Sequence, residues 1–144
     1  MTARTSSRSR PVELSRGEAL QLLAQAPLGR VVFSYQALPA IRPVNHLVED
    51  GGDVVIRTHT GAALLGRAAM GEVVAYEADD LDPVTGTGWS VVVTGTASRV
   101  VDPVELAHYR AVLTPWADTE MEHVVRIRTD IVTGFRLVRG EAGS

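Results

Sequence analysis

The sequence predicts a single, mainly β domain with short helices, folded as an antiparallel barrel rather than a parallel α/β sheet. Two observations carry this. Runs rich in Val, Ile, Thr and Tyr follow one another mostly through tight turns. Helix signals appear in only three segments, too few to supply a crossover between every pair of strands.

Taken in order, residues 1–12 hold Arg4, Arg8 and Arg10 among Ser and Thr, with no apolar stretch after them. They read as a flexible basic N-terminal tail rather than a signal peptide, leaving residues 13–140 as the domain. Ser15-Arg16-Gly17-Glu18 has the spacing of a capping box and opens an amphipathic helix that ends before Pro27. Residues 29–35 form a strand, 36–40 a turn, 41–48 a second strand, and 53–58 a third after the turn Glu49-Asp50-Gly51-Gly52. These three neighbours are expected to pair as a meander.

Residues 62–69 form a short helix ended by Gly71, and 72–78 return to strand. Residues 81–88, rich in Asp, Pro, Thr and Gly, form a loop that extends beyond the barrel. Residues 89–101 are the longest strand, with Gly95 as a bulge or bend inside it. Asp102-Pro103-Val104-Glu105 opens a third helix running to about residue 113, broken by Pro115 and Trp116. Residues 123–128 and 133–138 are strands, or one strand bent near 130–134. The count is six or seven strands and three helices.

Composition excludes several functions. The chain has 144 residues, 45% hydrophobic and 22% charged, which suits one globular domain. A net charge of -3 gives no general attraction to nucleic acid or anionic membrane. No cysteine is present, so disulfides, thiolate nucleophiles and cysteine metal sites are excluded. No apolar run approaches the ~20 residues of a membrane span, and a cytoplasmic protein is expected. His46, His59, His108 and His123 are scattered without metal-ligand spacing, so no metal site is expected. The acidic group Glu77, Asp79, Asp80 and Asp82 lacks the spacing of a calcium loop and reads as a solvated loop. No Gly-x-Ser-x-Gly elbow is present.

All 14 basic residues are arginine, so any bound anion must be met by arginine, hydroxyls or backbone amides. One segment gathers such donors. Arg57 ends a strand with a planar fork, Thr58 and Thr60 add hydroxyls, and Gly61 permits close backbone approach before a short helix. That combination suits a phosphate. The plain alternatives are a strand-end ion pair for Arg57 and strand propensity for Thr58. Asn45 is either a binding residue or a turn former, and His46 either a proton relay or a satisfied histidine. Trp89 either lines a pocket or packs in a core or interface. Arg126 and Arg128 alternate with Val125 and Ile127, so one face of that strand is charged, toward solvent or toward a cleft.

Four blocks in register resemble the pyridoxamine 5'-phosphate oxidase-like, FMN-binding split β-barrel family, most closely its small single-domain actinobacterial and nitroimidazole-resistance branch. They are Gly29-Arg30-Val31-Val32, Pro43-Val44-Asn45-His46, Ile56-Arg57-Thr58 with Gly61, and the segment from Gly88-Trp89-Ser90 to Gly95. Val132-Thr133-Gly134-Phe135-Arg136 resembles the closing strand, so the likeness covers roughly residues 15–138. The resemblance implies a homodimer with an FMN in each of two clefts at the subunit interface. It puts Arg57, Thr58 and Gly61 at the flavin phosphate or ribityl end, and Pro43, Val44, Asn45 and His46 along the ring. Trp89 and Ser90 complete the pocket, from the same or the partner subunit.

There is one departure. The family follows its Arg/His-Thr/Ser segment with Gly-x-Lys-Leu, and this chain reads Gly61-Ala62-Ala63-Leu64, with Leu64 kept and Ala63 in place of the lysine. Arg67, one turn further on, is the candidate substitute. The implied function is a flavin-dependent oxidoreductase working by hydride transfer. Its alternatives are a deazaflavin-dependent reductase using Arg42, Arg57 and Arg67, or a non-catalytic flavin-binding or sensor module.

Overall fold

The computed structural model describes residues 8–59, 62–115 and 121–140. Its longest strand, β7 (Thr87–Arg99), organises the rest. Val91, Val93 and Ala97 alternate along it and are fully buried, which fixes its inner face. β6 (Val73–Asp82) pairs with it from Val73↔Thr96 to Asp82↔Thr87. The opposite edge is shared: β9 (Ile131–Arg139) pairs with residues 88–94, and β8 (His123–Ile127) with residues 97–99. Gly95 sits at this fork. A Cβ there would lie 1.8 Å from the Arg128 carbonyl oxygen, so only glycine lets the two partners diverge.

The sheet continues outward as β6, β2 (Gly29–Tyr35) and β3 (Leu38–Val44) on one side. On the other side it runs through β8 to β5 (Val54–Thr58) and β4 (Leu47–Val48). β1 (Ser9–Glu13) pairs with β9. All pairings are antiparallel. The result is mainly antiparallel β with short helices, as expected. The sheet, however, stays open, because the end strands β3 and β4 do not pair.

Three helices cover it. α1 (Arg16–Gln25) starts with the expected capping box, Ser15 and Glu18 satisfying each other's backbone N–H, and buries Ala19 and Leu23. α2 (Ala63–Ala69) buries Leu64 and Ala68. α3 (Pro103–Val112) begins under the Asp102 side chain, which accepts from the Glu105 N–H, with Pro103 in the first turn. A main core joins α1, α2, β2, β5, β6 and β7. A smaller core of Val55, Val100, Tyr109, Leu113 and Val124 lies beneath α3.

Four expectations are corrected. Residues 9–12 of the expected tail, with Glu13, form β1, because β9 offers a row of backbone groups that a strand can satisfy; residues 1–7 lie outside those described. The meander is broken at Asn45 and His46: β2 and β3 form one hairpin, while β4 and β5 belong to the far end of the sheet. The segment 81–88 is a hairpin whose strands reach Asp82 and resume at Thr87, its turn closed by the Asp82 carboxylate on the Val84 N–H and by Gly86 at φ +69°. The strand count is nine among the described residues rather than six or seven, with β8 and β9 the two separate strands expected at 123–128 and 133–138.

Candidate functional site

Where the sheet stays open, it encloses a cavity of about 410 Å³. One wall is Val31, Phe33 and Tyr35, alternate residues on the inner face of β2, with Arg42, Pro43 and Val44 of β3. Ile56, Arg57 and Thr58 of β5 form the facing wall and continue into His59. Ala62, Ala63 and Leu64 at the start of α2, together with Met121, close the remaining sides. A second hollow of about 220 Å³ adjoins it, sharing Pro43, Val44, Arg57 and Met121 and adding Leu28, Asn45 and Pro115.

Charge in the cavity has one sign. Among the described residues no carboxylate lines it, whereas Arg42 and Arg57 do. Arg57 is the more constrained of the two. Its Nε donates to the Met121 carbonyl at 2.8 Å, and its Nη1 to the carbonyls of Leu113 at 2.9 Å and Arg110 at 3.4 Å. None of the ion pairs among the described residues involves it. Burial, and next the charge of Arg110, pushes its pKa below the usual arginine value. A half-buried guanidinium whose partners among the described residues are neutral carbonyls is an incompletely compensated cation. An anion placed beside it would be stabilised by the same low-dielectric surroundings.

The structure brings together Pro43, Val44, Arg57, Thr58 and Leu64 of the predicted residues. Asn45 lines the second hollow, its amide donating to the Thr114 carbonyl at 2.7 Å. His46 stands behind the wall. Its Nε2 donates to the Leu23 carbonyl at 2.6 Å, and its Nδ1 lies 2.6 Å from the Tyr76 hydroxyl, which also reaches the Val44 carbonyl at 2.8 Å. Burial holds the His46 pKa below its usual value, against the raising effect of Leu23. This ring fastens Val44 and α1 rather than facing the cavity.

Arg67 does not line the cavity; it pairs with Glu72 at 3.4 Å. Arg42 is the additional cation that the cavity has. Trp89 and Ser90 lie on β7 opposite Asp80 and Asp79, away from this lining. Gly61 lies outside the described residues. Phe33, Tyr35 and Met121 complete the lining without having been singled out as site residues. The alternation Val31-x-Phe33-x-Tyr35 carried the signal for the first two. Met121 belongs to no periodic pattern.

The sequence model of the pyridoxamine 5'-phosphate oxidase family matches residues 15–136. An uncharacterized protein of Mycobacterium tuberculosis is 55% identical over 130 residues, 88% of this chain and 86% of that one. The structure of an FAD binding protein from Mycobacterium smegmatis superposes with a TM-score of 0.73 at 33% identity, covering 88% of this chain and 98% of its own. A pyridoxamine 5'-phosphate oxidase-like structure from Corynebacterium glutamicum gives 0.76 at 35% identity, covering 90% and 99%.

Proposed function

Because the chain belongs to the pyridoxamine 5'-phosphate oxidase family, we propose that it is a flavin-binding protein holding FMN in the larger cavity and acting as an oxidoreductase. The carrying observation is Arg57: among the described residues this half-buried cation has no carboxylate partner and its cavity has no acidic lining. Its size is within the range of small-molecule sites, roughly 300–1,000 Å³.

Each residue has a part in this reading. Arg57 and the Thr58 hydroxyl meet the phosphate, and Arg42 adds positive charge at the mouth. Val31, Phe33, Val44 and Ile56 give the ring an apolar wall that excludes water. When bound, the flavin supplies two-electron hydride chemistry that no side chain here provides.

The reading includes a homodimer. Ile41, Val32, Ala75, Thr94 and Ile131 are register partners forming one row across five strands, on the face opposite the core. Ile41 and Ile131 at its ends are 56% and 60% exposed, and Val73 and Phe135 nearby are 64% and 44% exposed. A contiguous apolar face of this kind suits a second copy of the same chain.

A second reading, FAD in place of FMN, is favoured by the Mycobacterium smegmatis relative, which binds FAD. Titration of the purified protein with FMN and with FAD, followed by the visible spectrum and the melting temperature, tests both. A perturbed spectrum with a ligand-dependent rise in melting temperature supports the cofactor that produces it. No response to either overturns the flavin reading, and a response to the deazaflavin counterpart alone moves the site to that cofactor.

A further inference from the structure

We infer that Arg126 is a positioning residue for Arg57, acting through α3. This extends the reading of Arg57 as the anion contact but stands on separate contacts. Val55 and Arg57 on β5, and Val124 and Arg126 on β8, are register partners (Val55↔Arg126, Arg57↔Val124), so all four side chains project from one face. α3 lies over that face, its Tyr109 and Leu113 packed on Val55 and Val124.

The two arginines hold different parts of the helix. Arg57 takes the Arg110 and Leu113 carbonyls at the C-terminal end, where carbonyls lack intrahelical partners. Arg126 takes side chains nearer the start: its Nη2 donates to Glu105 and, at 2.9 Å, to the Tyr109 hydroxyl. Glu105 and Tyr109 are four residues apart and share a helix face. The Arg126 Nε donates to Glu49 at 3.0 Å, and the Tyr109 hydroxyl donates to the other Glu49 oxygen at 2.6 Å. Glu49 precedes β5, so this network fixes α3 relative to the strand that carries Arg57. Without it, α3 keeps its small apolar core and the Arg57 and Arg110 contacts at its C-terminal end, but its start is no longer tied to β5 and β8. The carbonyls that aim Arg57 would then shift.

The test needs no ligand. Solvent exchange of the Arg57 Nε hydrogen is followed by NMR in the full-length protein, its signal assigned by Arg57→Lys. In Arg126→Met, exchange is expected to quicken at least tenfold while the β7 amides of Val91 and Val93 keep their protection. Tyr109→Phe, which removes the hydroxyl joining Arg126 to Glu49, is a milder version usable if Arg126→Met does not fold, with the same direction expected. Unchanged Arg57 exchange in a folded variant overturns the proposal. In the same variants, the ratio of FMN to riboflavin affinity should fall while riboflavin affinity holds. A wild-type protein that binds no flavin would count against the proposed function, and the exchange measurement would still decide the role of Arg126.

Discussion

Arg57 and Arg126 project from the same face of the β5–β8 pair and grip one helix by different means, Arg57 by backbone carbonyls near the end of α3 and Arg126 by side chains near its start. The arrangement explains how a cation stands at a cavity wall with no ion-pair partner among the described residues. Glu49 and Glu105 are already engaged, both paired with Arg126. Burial raises the Glu49 pKa, but hydrogen bonds from Tyr109 and Arg126 outweigh it and hold the carboxyl below its usual value. Arg126 is in turn held charged by Tyr109, Glu49 and Glu105, against its own burial.

The β2–β3 hairpin turns on Gln36 and Ala37, both left-handed, at φ 52° and 64°. Two-residue hairpin loops of this kind favour asparagine followed by glycine, and a non-glycine residue held there costs about 1 kcal/mol or more. The double substitution Gln36→Asn with Ala37→Gly is therefore expected to raise the melting temperature by roughly 2–4 °C. Calorimetry checks this, and a lowered melting temperature would contradict the turn assignment.

Glu77 lies between Arg30, 3.0 Å away, and Asp79, which shares that arginine at 3.6 Å. Burial first, and then Asp79, pushes its pKa up to about 7, from an ordinary 4.5. Between those values the folded chain keeps a proton that the unfolded chain releases, so stability falls as pH rises through the window. Glu77→Gln should melt higher than wild type at pH 8 and show little difference at pH 4. A difference that grows toward acid would contradict this sign.

Ile131→Asp places a charge at the end of the apolar row Ile41, Val32, Ala75, Thr94, Ile131. In the dimer reading it halves the particle mass measured by sedimentation while the circular dichroism spectrum is retained. A wild-type monomer, or a variant that stays dimeric, would contradict the assignment of this face.

Much of the fold could be read locally. The capping box at Ser15 and Glu18, the Asp102-Pro103 start of α3 and the alternation of β2 are signals written within a few residues, and each appears where expected. What escaped depends on distant partners. Strand propensity runs through Asn45 and His46, yet the His46 ring is held by Leu23 and Tyr76 and Asn45 by Thr114, which turns the chain away between β3 and β4. β1 exists only because β9 pairs with it. The site divides the same way. Arg57 and Thr58 stood out as a donor cluster at a strand end, while Met121 joins the cavity through tertiary placement alone.

The most direct measurement is the affinity of the wild-type protein and of Arg57→Ala for FMN and for riboflavin, which lacks the phosphate. Loss of one charged hydrogen-bonding contact corresponds to about 1.5–3 kcal/mol, on the order of tenfold to a hundredfold in affinity. The account predicts that FMN binding weakens by that factor in Arg57→Ala while riboflavin binding is unchanged. Equal loss for both ligands, or no loss for FMN, would contradict Arg57 as the phosphate contact.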